Sequence, residues 1–186
     1  MLDPFADCGT TIAAAEKLGC RWMGIDITHL AISLLKYRLR DMRQEVESVR
    51  NGRNYQVVGE PADLAGARQT AKDDPYQFQW WACGLVAAKP LGGETGSRKG
   101  KKGADRGIDG VINFIDDDTG KPKRVLVQVK SGKVGSRDIR DLVGTVDREK
   151  ASIGVFISLE APTKPMTQGG RVRRTLPFLR MEPVLS

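Results

Sequence analysis

The stretch from Gly110 to Leu159 constrains the fold more than any other part of this chain. GVINFI (110–115) and RVLVQVK (124–130) are short apolar runs rich in β-branched residues. Between them lies DDDTGKPK (116–123), whose Asp, Gly and Pro residues are turn formers. Two such runs around a turn predict an antiparallel hairpin. SRDIRDLVGTVDREK (136–150) follows as an amphipathic helix, with Ile139, Leu142, Val143 and Val146 on one face. SIGVFISL (152–159) is continuously apolar, the pattern of a strand buried on both faces. Strand, helix, strand is a βαβ crossover, expected to be right-handed. The fold class is therefore α/β, with a mixed sheet flanked by helices.

Upstream of this core, DDPYQFQWWACGLV (73–86) starts as a helix should. Asp74 is suited to cap, Pro75 to occupy the first helical position and Gln77 to close a capping box. Phe78, Trp81, Cys83 and Leu85 then supply much of a buried stripe. Residues 49–73 read as a linker containing DLAGARQTAKDD, a polar stretch compatible with a short helix. After Met166 the periodicity stops, and residues 167–186 read as an irregular basic tail.

Residues 1–48 read as β-turn-α-β-α. Ile12, Ala13, Ala15 and Leu18 belong to a short helix that Gly19 closes. RWMGIDI (21–27) reads as a strand, and Thr28 can cap a helix carrying Leu30, Leu34, Leu35 and Leu39 at helical spacing. Two parallel strands and two helices cannot close a core alone, because parallel sheets need both faces covered. This segment must lean on something else.

The chain carries 30 Lys and Arg against 23 Asp and Glu, a formal charge of +7, which favours polyanionic partners such as double-stranded DNA. Arg98, Lys99, Lys101 and Lys102 sit in a glycine-rich loop, LGGETGSRKGKKGADRG (91–107), and are the candidate DNA-binding residues. Cys8, Cys20 and Cys83 are odd in number and have no metal-like spacing, and His29 is the only histidine. A zinc site is not expected on that basis, and reduced thiols in a cytoplasmic protein are expected. No apolar run approaches the roughly 18 residues of a membrane span, and residues 1–20 lack the basic start of a signal peptide.

The hairpin concentrates the chemistry. In an antiparallel pair, the first residue of one strand faces the last residues of the other. Asp109 is thus brought near Gln128 and Lys130, which share one face, while Val125, Val127 and Val129 share the other. A carboxylate and the backbone carbonyl of Val129 are hard donors for Mg²⁺, with Mn²⁺ an alternative. A metal held there would polarise a phosphoryl oxygen, and a lysine would align the attacking water or stabilise transition-state charge. The other reading of the same residues is a surface salt bridge at a strand end.

GADRGIDGVI, VLVQVKSGKV, the helix DIRDLVG and the strand IGVFIS together resemble the Mrr-like restriction endonucleases of the PD-(D/E)xK superfamily. The resemblance covers residues 74–166 and implies a Mg²⁺-dependent DNA endonuclease. Asp109 is then the metal ligand, Gln128 stands in the place of the second acidic ligand, and Lys130 is the catalytic lysine. Relatives of this type can use an acidic residue on the preceding helix. Gln79 is the nearest equivalent here, and Asp105 is a possible substitute.

DPFADCGTTIAAAEKLGCRWMGIDI (3–27) resembles the cofactor loop of DNA amino-methyltransferases that use S-adenosylmethionine. Asp3, Phe5, Gly9 and Thr10 match the loop, and Asp26 matches the acidic residue expected on the cofactor ribose. Asp7 stands where glycine is expected, and a carboxylate there crowds the methionine end of the cofactor. In a permuted class of these enzymes that loop comes late, so residues 1–48 resemble an incomplete Rossmann-like methyltransferase end fused to a nuclease. Asp74-Pro75-Tyr76 resembles the catalytic Asp-Pro-Pro-Tyr motif but has one proline and reads better as a helix start. Three functions follow: a restriction–modification endonuclease, a cofactor-binding part acting with a methyltransferase subunit, or a non-catalytic DNA-binding remnant. A homodimer is a further expectation. With no catalytic methyltransferase motif, the purified chain is expected to transfer no labelled methyl group from S-adenosylmethionine to DNA; incorporation above background would refute this.

Overall fold

The computed structural model describes residues 1–45, 55–91, 107–115 and 122–169. Its main sheet has four strands in the order β3 (Lys89–Pro90), β4 (Gly110–Phe114), β5 (Lys123–Lys130) and β6 (Ile153–Ser158). β3 and β5 run antiparallel to β4, and β6 runs parallel to β5. The expected hairpin is present, with Gly110 opposite Val127 and Phe114 opposite Lys123. β5 is a central strand, and its residues from Val125 to Val129 are all buried.

Helices cover both faces of this sheet. The expected amphipathic helix is α5 (Ser136–Arg148; α1 to α4 are given below), which connects β5 to β6. It lies close to the sheet where Gly154 leaves room: a Cβ there would stand 2.8 Å from Val146 and 3.2 Å from Leu142. Its start is held by Asp138, whose carboxylate accepts from the Gly135 backbone N–H at 2.9 Å. Leu142 is buried as expected, but Val143 is exposed and Thr145 is buried in its place. The next residue in a helix is turned by about 100°, so Val143 cannot share the centre of the Leu142 face, whereas Thr145 and Val146 can.

Two helices, α3 (Leu64–Asp73) and α4 (Pro75–Leu85), meet at Asp74 on the opposite face. Phe78, Trp81, Ala82 and Cys83 of α4 join Val127 and Val129 of β5 in the main core. Ala67 and Ala71 of α3 lie in the same core, although their stretch reads as connecting from sequence. Asp74 caps α4 as expected, its carboxylate accepting from Tyr76 at 2.9 Å, with Pro75 in the first turn. Gln77 does not close a capping box on its own helix. Its Oε1 instead accepts from the His29 backbone N–H at 2.7 Å, across to a different helix.

That other helix is α2 (His29–Glu45). It belongs to an N-terminal unit in which β1 (Leu2–Asp3) pairs in parallel with β2 (Met23–Gly24), with α1 (Thr10–Lys17) between them. Thr28 caps α2, its hydroxyl accepting from Ala31 at 3.2 Å. The expected strand over residues 21–27 has only two residues in the ladder, because β1 offers only two partners. α2 leans on α4: Ser33 Oγ donates to the Trp80 carbonyl at 3.2 Å and stands 3.2 Å from where a Cβ of Gly84 would be.

One expectation about the sheet is corrected. Among the described residues β6 is an edge strand, and it is less buried than its apolar run predicts: Ile153 and Gly154 are exposed and Val155 to Ser158 are partly buried. Its apolar character serves α5 on one face and the main core on the other, where Val155 and Ile157 pack. The last described helix is α6 (Lys164–Gly169), which buries Met166. No described helix is long and apolar enough to cross a membrane.

The contact between α2 and α4 predicts a measurable cost at Gln77. Gln77→Ala strands the first N–H of α2, that of His29, and removes the bridge between the helices, while the Thr28 cap remains. Chemical denaturation should show a loss of about 1 kcal/mol, the usual value of a helix cap. A loss close to zero would mean that water replaces the amide without penalty.

Candidate functional site

The register of β4 on β5 builds the site. Gly110 faces Val127, so one step outward Asp109 faces Gln128. Asp109 is held on both sides by its backbone. Its N–H donates to the Val127 carbonyl at 2.8 Å, and its carbonyl accepts from the Leu91 N–H at 2.9 Å. The Cys83 thiol, from α4, also donates to that carbonyl at 3.6 Å. Burial, helped by the nearby Asp109 carboxylate, pushes the Cys83 thiol up to about 12. It therefore stays a protonated donor at neutral pH.

The Asp109 carboxylate does structural work. β4 ends its pairing at Gly110, and Oδ2 of Asp109 then accepts from the Val129 backbone N–H at 2.6 Å. A side chain thus continues the ladder where the backbone of β4 leaves it. Val129 itself points its side chain into the main core.

Gln128 is 8% exposed, and its Oε1 has no hydrogen-bond partner among the described residues. Its Nε2 lies 2.9 Å from where a Cβ of Gly107 would stand. Gly107 also has a left-handed φ of 73°. Glycine at 107 is therefore demanded twice, by backbone conformation and by the close approach of the amide. Nothing in the sequence singles out Gly107, because its neighbour Gln128 is 21 positions away. Lys130 ends β5, is exposed and lies opposite Ser158 of β6, on the same face as Gln128. Gln79, on α4, is half-buried and makes no side-chain hydrogen bond among the described residues. Asp105 and the basic residues Arg98, Lys99, Lys101 and Lys102 lie outside the described residues.

Asp109 and Gln128 are therefore facing neighbours, and Lys130 follows two residues on. Their donors fit a catalytic Mg²⁺ poorly. Only one of the three is a carboxylate, one of its oxygens already accepts a backbone N–H, and Gln128 carries no charge. Among the described residues, no group of three or more His, Cys, Asp or Glu could hold a metal ion.

In the N-terminal loop, Gly9 has a left-handed φ of 77° at the start of α1, and its backbone abuts Leu35. Thr10 Oγ1 accepts from Arg38 at 2.9 Å. Asp3 Oδ1 accepts from the Phe5 N–H at 3.1 Å, and the Phe5 ring is exposed. Both oxygens of Asp26 are engaged. Oδ2 accepts from the Asp7 N–H at 2.9 Å, and Oδ1 accepts from the N–H and hydroxyl of Thr28, each at 2.9 Å. Asp26 thereby fastens Asp7, with its left-handed φ of 45°, to the start of α2.

Residues 91–170 match the family described as NACHT-associated inactive Restriction Endonuclease 1. This part of the chain is similar to a restriction endonuclease-like domain. The match begins after α4 and takes in β4, β5, α5 and β6, the elements that carry Gln128 and Lys130 and that Asp109 immediately precedes. No curated protein and no solved structure is matched.

The orphaned oxygen of Gln128 predicts an unusual stability effect. Gln128→Leu keeps the volume and removes a buried acceptor that has no partner among the described residues, so stability should be unchanged or rise by about 1 kcal/mol. Asp109→Ala should act oppositely, costing about 1–3 kcal/mol by stranding the Val129 N–H. Denaturant midpoints of the two variants measure both signs.

Proposed function

We propose that the restriction endonuclease-like domain binds duplex DNA through its phosphate backbone and does not cleave it. The observation that carries this reading is the pair at the site. The second acidic ligand position holds a neutral Gln128, and one oxygen of the Asp109 carboxylate already accepts the Val129 N–H. The family matched over residues 91–170 is described as inactive, which supports the same reading. DNA is favoured by the formal charge of +7 and by the basic residues around the C-terminal end of β5. Lys130 ends that strand, Lys133 lies in the following turn, and Arg137 and Arg140 project from the first turns of α5. Lys130, Lys133 and Arg140 are exposed, and the Arg137 side chain is 87% exposed. Arg137 has an ion partner in Asp141 at 3.8 Å, but both side chains are largely exposed, so phosphate can compete for the guanidinium.

A second reading, metal-dependent cleavage, is favoured by one specific observation. Oε1 of Gln128 is a buried oxygen acceptor without a hydrogen-bond partner among the described residues, and such an oxygen can serve a hard cation.

On the same footing, we assign residues 1–48 to the cofactor-loop end of a DNA amino-methyltransferase. The parallel β1–β2 pair, the left-handed Gly9 before α1 and the acidic Asp26 after β2 support this. Because Asp26 already binds Asp7 and Thr28, S-adenosylmethionine is not proposed as a ligand of this chain.

The test separates binding from cleavage. Duplex binding should be insensitive to sequence and should weaken as salt rises. Alanine at Lys130, Lys133, Arg137 and Arg140 should reduce the log–log salt slope by roughly 0.9 for each phosphate that is no longer neutralised. Supercoiled plasmid should remain intact with Mg²⁺ or Mn²⁺. Nicking that Lys130→Ala abolishes would establish the second reading instead. An unchanged salt slope in the fourfold variant would remove the proposed surface.

A further inference from the structure

Beside the contact of Ser33 with Gly84, where α2 meets α4, lies a cavity of about 400 Å³. That is the size of a small-molecule site. Ser33, Lys36, Tyr37 and Arg40 line one side of it. They recur at intervals of three and four residues, so they form a single stripe along α2. The other side is made of small residues, Gly84, Ala87 and Ala88, at the end of α4 and on the way into β3. Tyr55 completes the lining. A helix face that only had to pack on those small residues would carry apolar side chains. This one carries a hydroxyl, two cations and a phenol.

The two cations are not equivalent. Lys36 and Arg40 stand four residues apart on one helix, where like charges repel. Glu60 neutralises the first: both of its oxygens accept from Lys36 Nζ at 2.6 Å. Arg40 has no acidic partner among the described residues. Its guanidinium is half-buried, lies 4.7 Å from the centre of the Tyr37 ring and donates to the Ala87 carbonyl at a long 3.4 Å. Five N–H donors are thus seated at the cavity with most of their capacity left over. Ala87 holds a left-handed φ of 54°, a conformation that favours glycine, and strain of this kind gathers at ligand clamps.

We propose that this cavity binds a nucleoside monophosphate. Its one cation without a counter-charge calls for one anionic group, and a planar guanidinium matches the oxygens of a phosphate. The rings of Tyr37 and Tyr55 offer a base flat surface to lie on, and stacking of that kind does not select among bases. Ser33 Oγ donates to the Trp80 carbonyl and keeps its acceptor capacity for a ribose or base donor. None of these residues belongs to the proposed DNA surface, so the inference does not depend on whether the other domain binds or cleaves DNA.

Isothermal titration calorimetry on the full chain tests it, with AMP and CMP as one purine and one pyrimidine probe. Both should bind. Adenosine and inorganic phosphate should each bind at least about tenfold more weakly than AMP, a difference that losing one charged hydrogen bond or one stacked base produces. Arg40→Gln keeps a donor for the Ala87 carbonyl and removes the charge. It should weaken AMP by about tenfold or more and leave adenosine unchanged. Alanine at Lys130, Lys133, Arg137 and Arg140 should leave AMP binding as in the wild type, which separates the cavity from the DNA surface. The comparison of ligands on the wild-type chain stands even if a variant fails to fold. The proposal is overturned if neither nucleotide binds saturably at concentrations on the order of 1 mM. Phosphate or adenosine binding as tightly as AMP, or a folded Arg40→Gln chain that binds AMP normally, would also overturn it.

Discussion

Burial of β5 on both faces is the constraint around which the rest of the domain is arranged. Five successive residues, Val125 to Val129, are withdrawn from water. A strand in that position needs a neighbour on each edge and a helix on each face, because every exposed apolar residue and every unpaired backbone group in it would carry a cost. β4 and β6 supply the edges, and α4 and α5 supply the faces. The small residues sit where these layers come closest. Gly110 meets Cys83 of α4, and Gly154 meets Leu142 and Val146 of α5; a Cβ at either would stand under 3.0 Å from its nearest neighbour.

Two polar groups break the apolar rule for β5, and both lie at its C-terminal end. Where β4 stops pairing, the Asp109 carboxylate takes over the Val129 N–H, so no backbone donor is stranded there. Gln128 has no such compensation at Oε1 among the described residues. Burying an amide oxygen without a partner typically costs a few kcal/mol, and a leucine would fill similar space. Its presence is therefore not explained by packing. A carboxylate in its place would be charged, nearly as buried, and opposite the Asp109 carboxylate. Such a pair would demand a cation, and the neutral amide removes that demand. The residue that makes metal binding poor thus also lets the strand end stay buried without one.

Much of this is legible in the sequence wherever the signal is local. The Asp74-Pro75 helix start, the hairpin around residues 116–123 and the facing of Asp109 with Gln128 all follow from neighbouring residues and the period of two. What is not legible depends on partners far away in the chain. An apolar run such as 153–158 looks the same in a central strand and in an edge strand packed by helices, so its pattern overstates its burial. Gln77 has the right spacing for its own capping box, and only the arrival of α2 gives its amide a better partner in His29. Gly107 looks like any loop glycine until Gln128 is folded against it. The matched family covers the elements that carry the nuclease-like motifs, whereas the function of those motifs rests on single side chains that no pattern of elements determines.

The N-terminal unit and the nuclease-like domain share one helix, and this sets how they can influence each other. α4 receives α2 through Gln77, Trp80 and Gly84, all on one side. From its other side Cys83 reaches the Asp109 carbonyl, and Phe78 and Trp81 enter the core against β5. A side chain in a close-packed interior cannot shift without displacing its neighbours. α4 lies between α2 and Asp109 and packs against both. The inner row of β2 faces α1 and the Ile12 cluster, and α2 is braced by α4, so both inward surfaces of the unit are occupied. The unit is thus anchored on α4 by polar contacts too specific to be a loose tether.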